Sequence, residues 1–300
     1  MTGIICLRKP EGITSFQAVP KTRGITGEKK ACHCGTLDPD ATGVLPVMLG
    51  GATRFLEFLP TTPKQYRAVM KLGVVTDTLD LSGSVLETRD VAAGRDDILQ
   101  VLDGFRGDIQ QVPPMYSALK VDGKKLVDLA RRGIEVERKA REVTFSDIEI
   151  LETDLPRIRF RVTCSKGAYI RTLCEDIGMK LGCGGCMESL LRTRTGRFEI
   201  GEALTLDEIS EKVREGDLSF VMPIDRFFDE YPRVQVPESL DADIKNGSRF
   251  ELRGLSDVPN KKVRVYLSDG AFAGIYKKSG KRFSLEKHFY IFDTEEGTAQ

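Results

Sequence analysis

Cys34-Gly-Thr-Leu-Asp-Pro-Asp-Ala-Thr-Gly43 is the stretch of this chain that says most about its fold and its chemistry. Pro39 fixes its own φ and disfavours the helical region for the residue before it, while Gly35 and Gly43 allow tight turns on either side. The sequence therefore predicts a loop that presents the carboxylate of Asp38 instead of placing it on a helix face. An Asp-Pro pair between two glycines is also typical of a plain turn, so the loop residues alone leave both interpretations open.

The composition excludes several classes of protein. The 300 residues include 40% hydrophobic side chains, enough for one large and one small domain, each with its own core. No run is long enough to span a membrane, and the first ten residues lack the apolar core of a secretion signal. Seven cysteines without a secretion signal favour reduced thiols over a disulfide framework. We therefore expect a soluble, cytoplasmic protein.

Charge is balanced over the whole chain but clustered locally. With 45 basic and 45 acidic residues, net charge does not indicate a nucleic-acid partner. Residues 120–141, however, hold eight Lys or Arg against four Asp or Glu, and Arg192, Arg194 and Arg197 form a second basic group. Such clusters are typical of RNA contact, although solvated helix and strand faces carry the same charges.

Hydrophobic periodicity predicts both strands and helices. The expected strands are Gly3–Leu7, Gln65–Leu72, Ser84–Thr88, Val143–Leu151 and Arg157–Cys164. The expected helices are Asp96–Leu102, Lys124–Arg132 and Ala168–Leu181. Pro20 interrupts the helical segment after Ser15, so that helix is expected to be short or kinked. Since strands often follow one another without a helix between them, the pattern predicts an α+β fold with a mixed, mainly antiparallel sheet.

The last quarter of the chain predicts a second domain. The pattern loosens between Asp225 and Pro237, and short strands are expected beyond it at Lys262–Leu267, Ala271–Tyr276 and His288–Phe292. We therefore expect two domains, residues 1–228 and residues 229–300, the second a small β-barrel. A packing module without RNA contact is the alternative for this domain. The acidic tail at Glu295 and Glu296 is expected to fray.

Several blocks of sequence, in a fixed order, resemble the TruB family of tRNA pseudouridine synthases. They are Lys9-Pro10-Glu11-Gly12-Ile13-Thr14-Ser15, His33, Gly35-Thr36-Leu37-Asp38-Pro39, Lys64-Gln65-Tyr66, Thr76-Asp77-Thr78-Leu79-Asp80, Gln111–Lys120, Cys164–Thr172 and Leu190-Leu191-Arg192-Thr193. The resemblance is much weaker after Asp225. It implies a catalytic domain of pseudouridine synthase type, followed by a PUA-like RNA-binding domain.

The resemblance also implies a reaction and three catalytic residues. Pseudouridine formation detaches uracil from C1′ of its ribose, turns the base and rejoins it through C5, so we expect no cofactor and no metal. Asp38 is expected to start the reaction as nucleophile or base, and Arg171 to keep it ionised through a bidentate contact. Tyr66 is expected to stack on the extruded base and to move a proton late in the reaction.

Five further residues are predicted to contact the substrate. Tyr169 and Leu190 match family positions that line the pocket, and His33 matches the family histidine beside the catalytic loop. The complete set is His33, Tyr169, Leu190, Lys9 and Arg192. Asp40 departs from the family pattern, and its negative charge is expected to raise the pKa of the neighbouring carboxyl group.

Two other functions compete with the enzyme. Cys32-His33-Cys34 together with Cys183-Gly-Gly-Cys186 offers four thiols and an imidazole to zinc, but one CxC and one CxxC form a weak zinc pattern. A non-catalytic RNA-binding or RNA-folding protein would show the same basic clusters. That second alternative gives no reason for Asp38 and Arg171 to stand in their motifs.

Within the enzyme interpretation, the resemblance favours the bacterial stand-alone form, which acts on uridine 55 in the T loop of tRNA. The short segment before Lys9 fits this form better than the relatives that work with guide RNA and partner proteins. We therefore expect the T-arm of tRNA as partner, no obligatory protein partner, no membrane and a monomeric enzyme.

Overall fold

The structure, a computed structural model, describes residues 1–59, 62–252, 259 and 261–289. The chain divides into two compact units, one formed by Met1 and Ile5–Phe220 and the other by Thr2–Ile4 and Val221–Gln300. This division comes slightly earlier in the chain than the predicted one after residue 228. The N-terminal strand contributes residues to both units, which local sequence patterns did not indicate.

The larger unit combines thirteen strands and five α-helices in its described part. The strands are β1 (Gly3–Lys9, which begins in the smaller unit), β2 (Ala31–His33), β3 (Thr42–Leu49), β4 (Lys64–Leu72), β5 (Val74–Thr76), β6 (Val85–Thr88), β7 (Gly107–Gln111), β8 (Lys120–Val121), β9 (Lys124–Lys125), β10 (Arg141–Asp154), β11 (Arg157–Cys164), β12 (Gly185–Thr195) and β13 (Phe198–Glu199). The helices are α1 (Ser15–Thr26), α2 (Arg95–Asp103), α3 (Leu126–Ala130), α4 (Ile170–Lys180) and α5 (Leu206–Arg214). Short 3₁₀ segments lie at Gly50–Phe58 and Ile200–Glu202.

A nine-stranded sheet forms the centre of this unit. Its strands follow the order β1-β3-β12-β4-β11-β10-β7, with β2 attached to β3 and β13 attached to β12. The pairs β12 with β4, β4 with β11, β11 with β10 and β10 with β7 are antiparallel, whereas β3 and β12 are parallel. The predicted mixed, mainly antiparallel α+β fold is confirmed.

Strand β4 and helix α4 show how the hydrophobic pattern builds the core. In β4, Tyr66, Ala68, Met70 and Leu72 are buried at alternate positions, as a strand with one covered face requires. In α4, the residues at helical spacing on one side, Ile170, Leu173, Cys174 and Ile177, are buried in the same cluster. The helix therefore covers the face of the sheet on which Tyr66 lies.

Two helices differ from their predictions. Helix α1 runs through Pro20 to Thr26, so it is not short, which was one of the two expected outcomes. A capping box between Thr14 and Gln17 fixes its first turn, and a proline this close to the N-terminus removes a single hydrogen bond. Helix α3 is shorter than predicted because Asp122 and Gly123, with φ of 49° and 78°, turn the chain into the β8–β9 hairpin.

The three arginines of β11 share one exposed face, and they are paired with acidic side chains. Arg157 contacts Glu188 at 2.9 Å. Arg159 contacts Glu152, and Arg161 contacts Glu149. Cross-strand pairs of this kind neutralise the face locally. The β11 face is therefore a solvated surface with locally balanced charge.

The smaller unit is built on a five-stranded sheet. Its elements are β14 (Arg233–Gln235), α6 (Asp241–Lys245), β15 (Phe250–Glu251), β16 (Lys262–Tyr266), β17 (Phe272–Ser279) and β18 (Arg282–His288), with 3₁₀ segments at Ile224–Phe228 and Glu238–Leu240. The strand order is β14-β16-β17-β18-β15, and Val263, Val265, Tyr276 and Phe283 lie in its core.

The predicted small β domain is thus present, but its third strand was misplaced. That strand ends at His288 instead of beginning there, because the alternating residues from Arg282 onward pair with β17 across the Ser279-Gly280 turn. Residues 290–292 of the expected strand and the acidic tail at Glu295 and Glu296 lie outside the described residues. No helix among the residues described is both long and apolar enough to cross a membrane.

Candidate active site

The backbone of the loop that carries Asp38 is held by hydrogen bonds at every carbonyl from residue 35 to residue 39. The donors are Arg192 Nη2 to Gly35 (3.0 Å), Arg192 Nη1 to Thr36 (3.3 Å), Ser15 Oγ to Leu37 (3.0 Å), Ala41 N to Asp38 (3.2 Å), and Lys9 Nζ and Gly12 N to Pro39 (2.8 and 3.1 Å). Buried backbone carbonyls need such partners, so the loop has little freedom to rearrange. The carboxylate that it carries is fixed in position.

Lys9 and Arg192, which were predicted to contact the substrate, are both completely buried. The Lys9 ammonium donates to the carbonyls of Pro10 and Pro39 at 2.7 and 2.8 Å, and burial lowers the pKa of Lys9 to about 8. The Arg192 guanidinium also donates to Val44 at 2.6 Å. Their N–H groups donate to backbone carbonyl oxygens, so the two buried side chains hold the loop in place from the protein interior.

Gly43 closes the loop at a position that no other residue could occupy. Its φ of 105° lies in the region that favours glycine, and an added Cβ would clash with the backbone of Arg192. The close approach follows from the parallel pairing of β3 with β12, in which these two residues are partners. The glycine therefore fixes the distance between the loop and the central strand.

Asp38 forms an ion pair with Arg171, since Arg171 Nε lies 3.0 Å from Asp38 Oδ2. The predicted bidentate contact is wrong, because the two terminal nitrogens of the guanidinium donate elsewhere. Nη1 donates to the carbonyl of Thr78 at 3.0 Å and Nη2 to that of Tyr116 at 2.8 Å. With 5% of its side chain exposed, the arginine is oriented by the protein backbone and offers one edge to Asp38.

A second carboxylate shares this cation. Asp80 Oδ2 lies 3.7 Å from Arg171 Nε, and Asp80 Oδ1 accepts from Thr78 Oγ1 and Ser82 Oγ at 2.7 and 2.6 Å. The sequence analysis assigned no role to Asp80, although this residue stands in one of the quoted motifs. No feature of the neighbouring sequence shows that its carboxylate lies beside Arg171 of α4. Two carboxylates around one guanidinium leave the site with a net negative charge.

The pKa of Asp38 is raised above its ordinary value of 3.8. Partial burial is the largest cause, with 40% of the side chain still exposed, and the negative charges of Asp80 and Asp40 add to it. The Arg171 guanidinium opposes these effects but does not reverse them. The carboxylate therefore becomes protonated at a higher pH than an exposed aspartate.

Tyr66 is buried in the sheet next to this pair, with 6% of its surface exposed. It stands on β4 opposite Arg192 on β12 and Val162 on β11. Burial raises the pKa of Tyr66 to about 12, although the Arg192 guanidinium lowers it. The phenol is therefore neutral at physiological pH, and it can donate a hydrogen bond but rarely acts as a phenolate base.

Tyr169 and Leu190 approach the same place from α4 and β12. Tyr169 caps α4, and Gln111 holds its backbone from both sides, by donating to its carbonyl at 3.1 Å and accepting from its N–H at 2.8 Å. Leu190 is 8% exposed and belongs to the same core cluster as Tyr66. Gln111 is a buried positioning residue that the sequence did not single out.

His33 ends strand β2, immediately before the loop. Its Nδ1 is buried and has no hydrogen-bond partner within the described part of the chain. Burial is the main cause that lowers the pKa of His33, and the positive charge of Arg192 lowers it further. The imidazole is therefore neutral near pH 7.

The cysteines do not assemble into a metal centre. All seven are free thiols, and among the described residues no group of three or more His, Cys, Asp or Glu side chains is arranged to hold an ion. Cys34 is buried near Lys64 and Arg192, and burial raises its pKa. Six of the seven cysteines are buried, and Cys32 is partly buried.

Asp40→Asn is expected to shift the acid limb of the pH–rate profile toward lower pH. Removing this negative charge lowers the pKa of Asp38, so the carboxylate stays ionised, and the enzyme active, in more acidic solution. The measurement is single-turnover rate against pH on unmodified tRNA. Glu11→Gln is the matched control, because Glu11 acts on the neighbouring Lys9 but is not among the main causes that shift the pKa of Asp38. An acid limb that does not move would contradict the electrostatic role of Asp40.

Comparison with known families gives two matches along the chain. Residues 23–170 match the TruB family pseudouridylate synthase N-terminal domain, and residues 171–229 match the tRNA pseudouridylate synthase B C-terminal domain. A tRNA pseudouridine synthase B of Clostridium kluyveri is 43% identical over 291 residues, which span 96% of this chain and all of that protein.

Two solved structures show the same fold. One is an H/ACA RNP bound to a substrate RNA containing 2′-deoxyuridine, with a TM-score of 0.69 and 26% identity over 97% of this chain and 86% of the other. The second is a Cbf5-Nop10-Gar1 complex, with a TM-score of 0.68 and 29% identity over 96% of this chain and 85% of the other. The likeness extends over both compact units of the chain.

Proposed function

Because the chain belongs to the TruB family of pseudouridine synthases, we propose that it isomerises uridine 55 in the T loop of tRNA to pseudouridine. The observation that carries this proposal is the Asp38–Arg171 ion pair, held on a fixed loop beside a buried tyrosine. The T-arm of tRNA is the substrate, and the enzyme acts as a monomer without an obligatory protein partner.

The geometry supports a division of labour among three residues. Asp38, the only one of the three whose side chain is substantially exposed, starts the reaction as nucleophile or base at the extruded nucleotide. Arg171 keeps it ionised and oriented without leaving its own backbone partners. Tyr66, neutral and buried beneath them, stacks on the base and can return a proton when the new C5 bond has formed.

Three neighbours complete the pocket. Tyr169 and Leu190 close its apolar wall, and His33 supports the extruded base or the RNA beside it from the start of the loop. Extruding a uridine costs stacking and pairing energy, which contacts with aromatic and apolar faces offset. A closed apolar wall also limits the access of water while the base is detached from its ribose.

Site mapping tests the proposal directly. Unmodified tRNA is incubated with the purified protein alone, and pseudouridine is located along the whole RNA by chemical labelling and primer extension. We expect the modification at position 55 without added protein or guide RNA. Binding without any modification would support the non-catalytic RNA-binding alternative, while modification elsewhere would refute the assigned position.

Tyr66 variants separate stacking from proton transfer. Tyr66→Phe keeps the ring and is expected to slow the chemical step while leaving tRNA affinity unchanged. Tyr66→Ala also removes stacking, worth roughly 1–3 kcal/mol per base in single-strand binders. Single-turnover rates and equilibrium binding measure the two effects, with thermal melting as the control for loss of core packing. A Tyr66→Ala enzyme with wild-type rates would refute the role of this residue.

We also propose that the smaller unit grips the RNA through exposed lysines. Of its basic side chains, Lys262 and Arg282 pair with Glu286 and Glu251. Lys261, Lys277 and Lys281 are exposed and have no such ion pair in the part of the chain that the structure describes. Phosphate contacts need exposed, unneutralised cations of this kind.

Triple substitution of Lys261, Lys277 and Lys281 by alanine is expected to weaken tRNA binding and to reduce its salt dependence. Each lost phosphate contact lowers the slope of log K against log salt by about one unit. Chemistry at saturating RNA should persist. Lys262→Ala with Arg282→Ala is the matched control and should have a smaller effect. Equal slopes for the triple variant and the wild type would favour a packing module instead.

A further inference from the structure

A cavity in the larger unit is separate from the catalytic pocket. Its volume is about 520 Å³, which falls in the range of small-molecule sites. The walls come from β5 and β6, the segment after β7, the end of α3 and one side of α4. Asp38 and Tyr66 do not line it, so it is not the space that receives the uridine.

About half of the wall is apolar, and the charges on it are predominantly negative. Val75, Leu79, Leu86, Val112, Met115 and Ile134 supply the apolar surface. Four carboxylates and one guanidinium line the remainder. This excess of negative charge repels phosphate, so the RNA backbone does not fit the cavity.

Two of the four carboxylates are already engaged by the protein. Asp77 Oδ1 accepts from the backbone N–H of Ser84 at 2.8 Å, and Glu135 forms an ion pair with Arg138 at 3.1 Å. The other two, Glu175 and Asp176 on α4, form no side-chain hydrogen bond or ion pair among the described residues. Both are half-buried, and burial raises the pKa of each. The positive charges of Arg138 and Lys180 lower the pKa values of Glu175 and Asp176, respectively, but do not offset the effect of burial. Both carboxylates therefore keep oxygen atoms that can accept hydrogen bonds from an ammonium group.

A neutral acceptor lies on the same wall. Thr172, one turn before Asp176 on α4, is 4% exposed, and its Oγ1 has no hydrogen-bond partner in the described chain. Buried hydroxyl groups almost always have a partner. An ammonium group has three N–H donors, which matches two carboxylates and one hydroxyl oxygen.

We propose that this cavity binds a small molecule that carries a protonated amine on an apolar body. The ammonium group lies between Glu175, Asp176 and Thr172, and the apolar body fills the space between the β5–β6 hairpin and the segment after β7. Neither a carboxylate nor a phosphate can replace the amine, because both would meet the same negative wall. The site is distinct from the proposed RNA site, and its existence does not depend on the reaction.

The position of the cavity connects it to the catalytic arginine. Arg171 directly precedes Thr172, and its Nη2 donates to the carbonyl of Tyr116, a residue of the cavity wall. Its Nη1 donates to Thr78, whose neighbours Asp77 and Leu79 also line the cavity. A bound amine therefore contacts the segments that orient the guanidinium.

Ligand-observed NMR and calorimetry with 2-phenylethylamine on the full-length protein test the proposal. The matched probe is 3-phenylpropionate, which has the same ring and a similar length but a negative charge. We expect saturable binding of the amine, with a dissociation constant on the order of 1 mM or tighter, and no saturable binding of the acid. Equal binding of both probes, or no binding of the amine, would overturn the inference.

Three variants locate the binding. Glu175→Gln with Asp176→Asn should weaken the binding of the amine at least about tenfold, because its hydrogen bonds to two charged carboxylates are lost. Ala130→Phe fills the cavity and should abolish binding independently of charge. Glu211→Gln with Glu215→Gln makes the same charge change at exposed positions of α5 and its C-cap and should leave binding unaltered. Amine binding that is insensitive to the first two variants would refute the assigned site.

Thermal melting of each variant separates lost binding from lost folding. The Asp38→Asn protein should bind the amine as the wild type does, since Asp38 does not line the cavity. Failure of amine binding in an active enzyme would therefore overturn the cavity proposal and leave the proposed reaction unaffected.

Discussion

Asp38→Asn is expected to abolish pseudouridine formation while changing tRNA affinity by less than about 1 kcal/mol, because phosphate contacts and not this carboxylate carry affinity. The amide has nearly the same shape, and its oxygen can still accept from Arg171 Nε, so the loop should keep its conformation. What is lost is the negative charge that can act as nucleophile or base.

The measurement is single-turnover conversion of unmodified tRNA, with binding followed in parallel. Asp40→Asn is the matched control, because it makes the same chemical change two residues later and should remain active. Turnover by the Asp38→Asn protein, with contaminating wild-type enzyme excluded, would refute the catalytic assignment. A wild-type protein that binds tRNA but modifies none would instead support the RNA-binding alternative.

Arg192→Met is expected to destabilise the larger unit by about 3–5 kcal/mol and to reduce activity even in the folded fraction. The side chain is completely buried, and its removal leaves the carbonyls of Gly35, Thr36 and Val44 without their donor. Methionine fills a similar volume, so the loss reflects hydrogen bonding more than a cavity. Activity should fall because the loop that carries Asp38 is no longer held in place.

Denaturant unfolding and single-turnover assays at low temperature separate these two effects. Arg159→Met is the control, since Arg159 is 55% exposed and pairs with Glu152 on the surface, where such pairs contribute about 0–1 kcal/mol. Arg192→Lys should lie between the two, because lysine retains the charge but not the planar fork. Unfolding midpoints that match for Arg192→Met and Arg159→Met would contradict the supporting role.

Local sequence patterns predicted many of the strands and the loop that carries Asp38. Alternation along β4 and β11 predicted strands with one buried face, and Pro39 between two glycines predicted a loop that presents Asp38. These predictions succeeded because each depends on a few neighbouring residues and on steric preferences that act within one turn or one pleat. The resemblance to a family then identified Arg171 and Tyr66 as catalytic residues. Their residue types alone would have predicted a surface arginine on a helix and a core tyrosine on a strand.

Long-range pairing was decided only by the tertiary structure. Strand β12 pairs with β4 on one side and with β3 on the other, across more than a hundred residues of sequence, and this brings Arg192 under the loop of Asp38. The sequence suggested surface cations at Lys9 and Arg192, because charged side chains are rarely buried completely. They are buried here because the loop carbonyls of Gly35, Thr36 and Pro39 need donors, and only the folded chain brings those oxygens to the two cations.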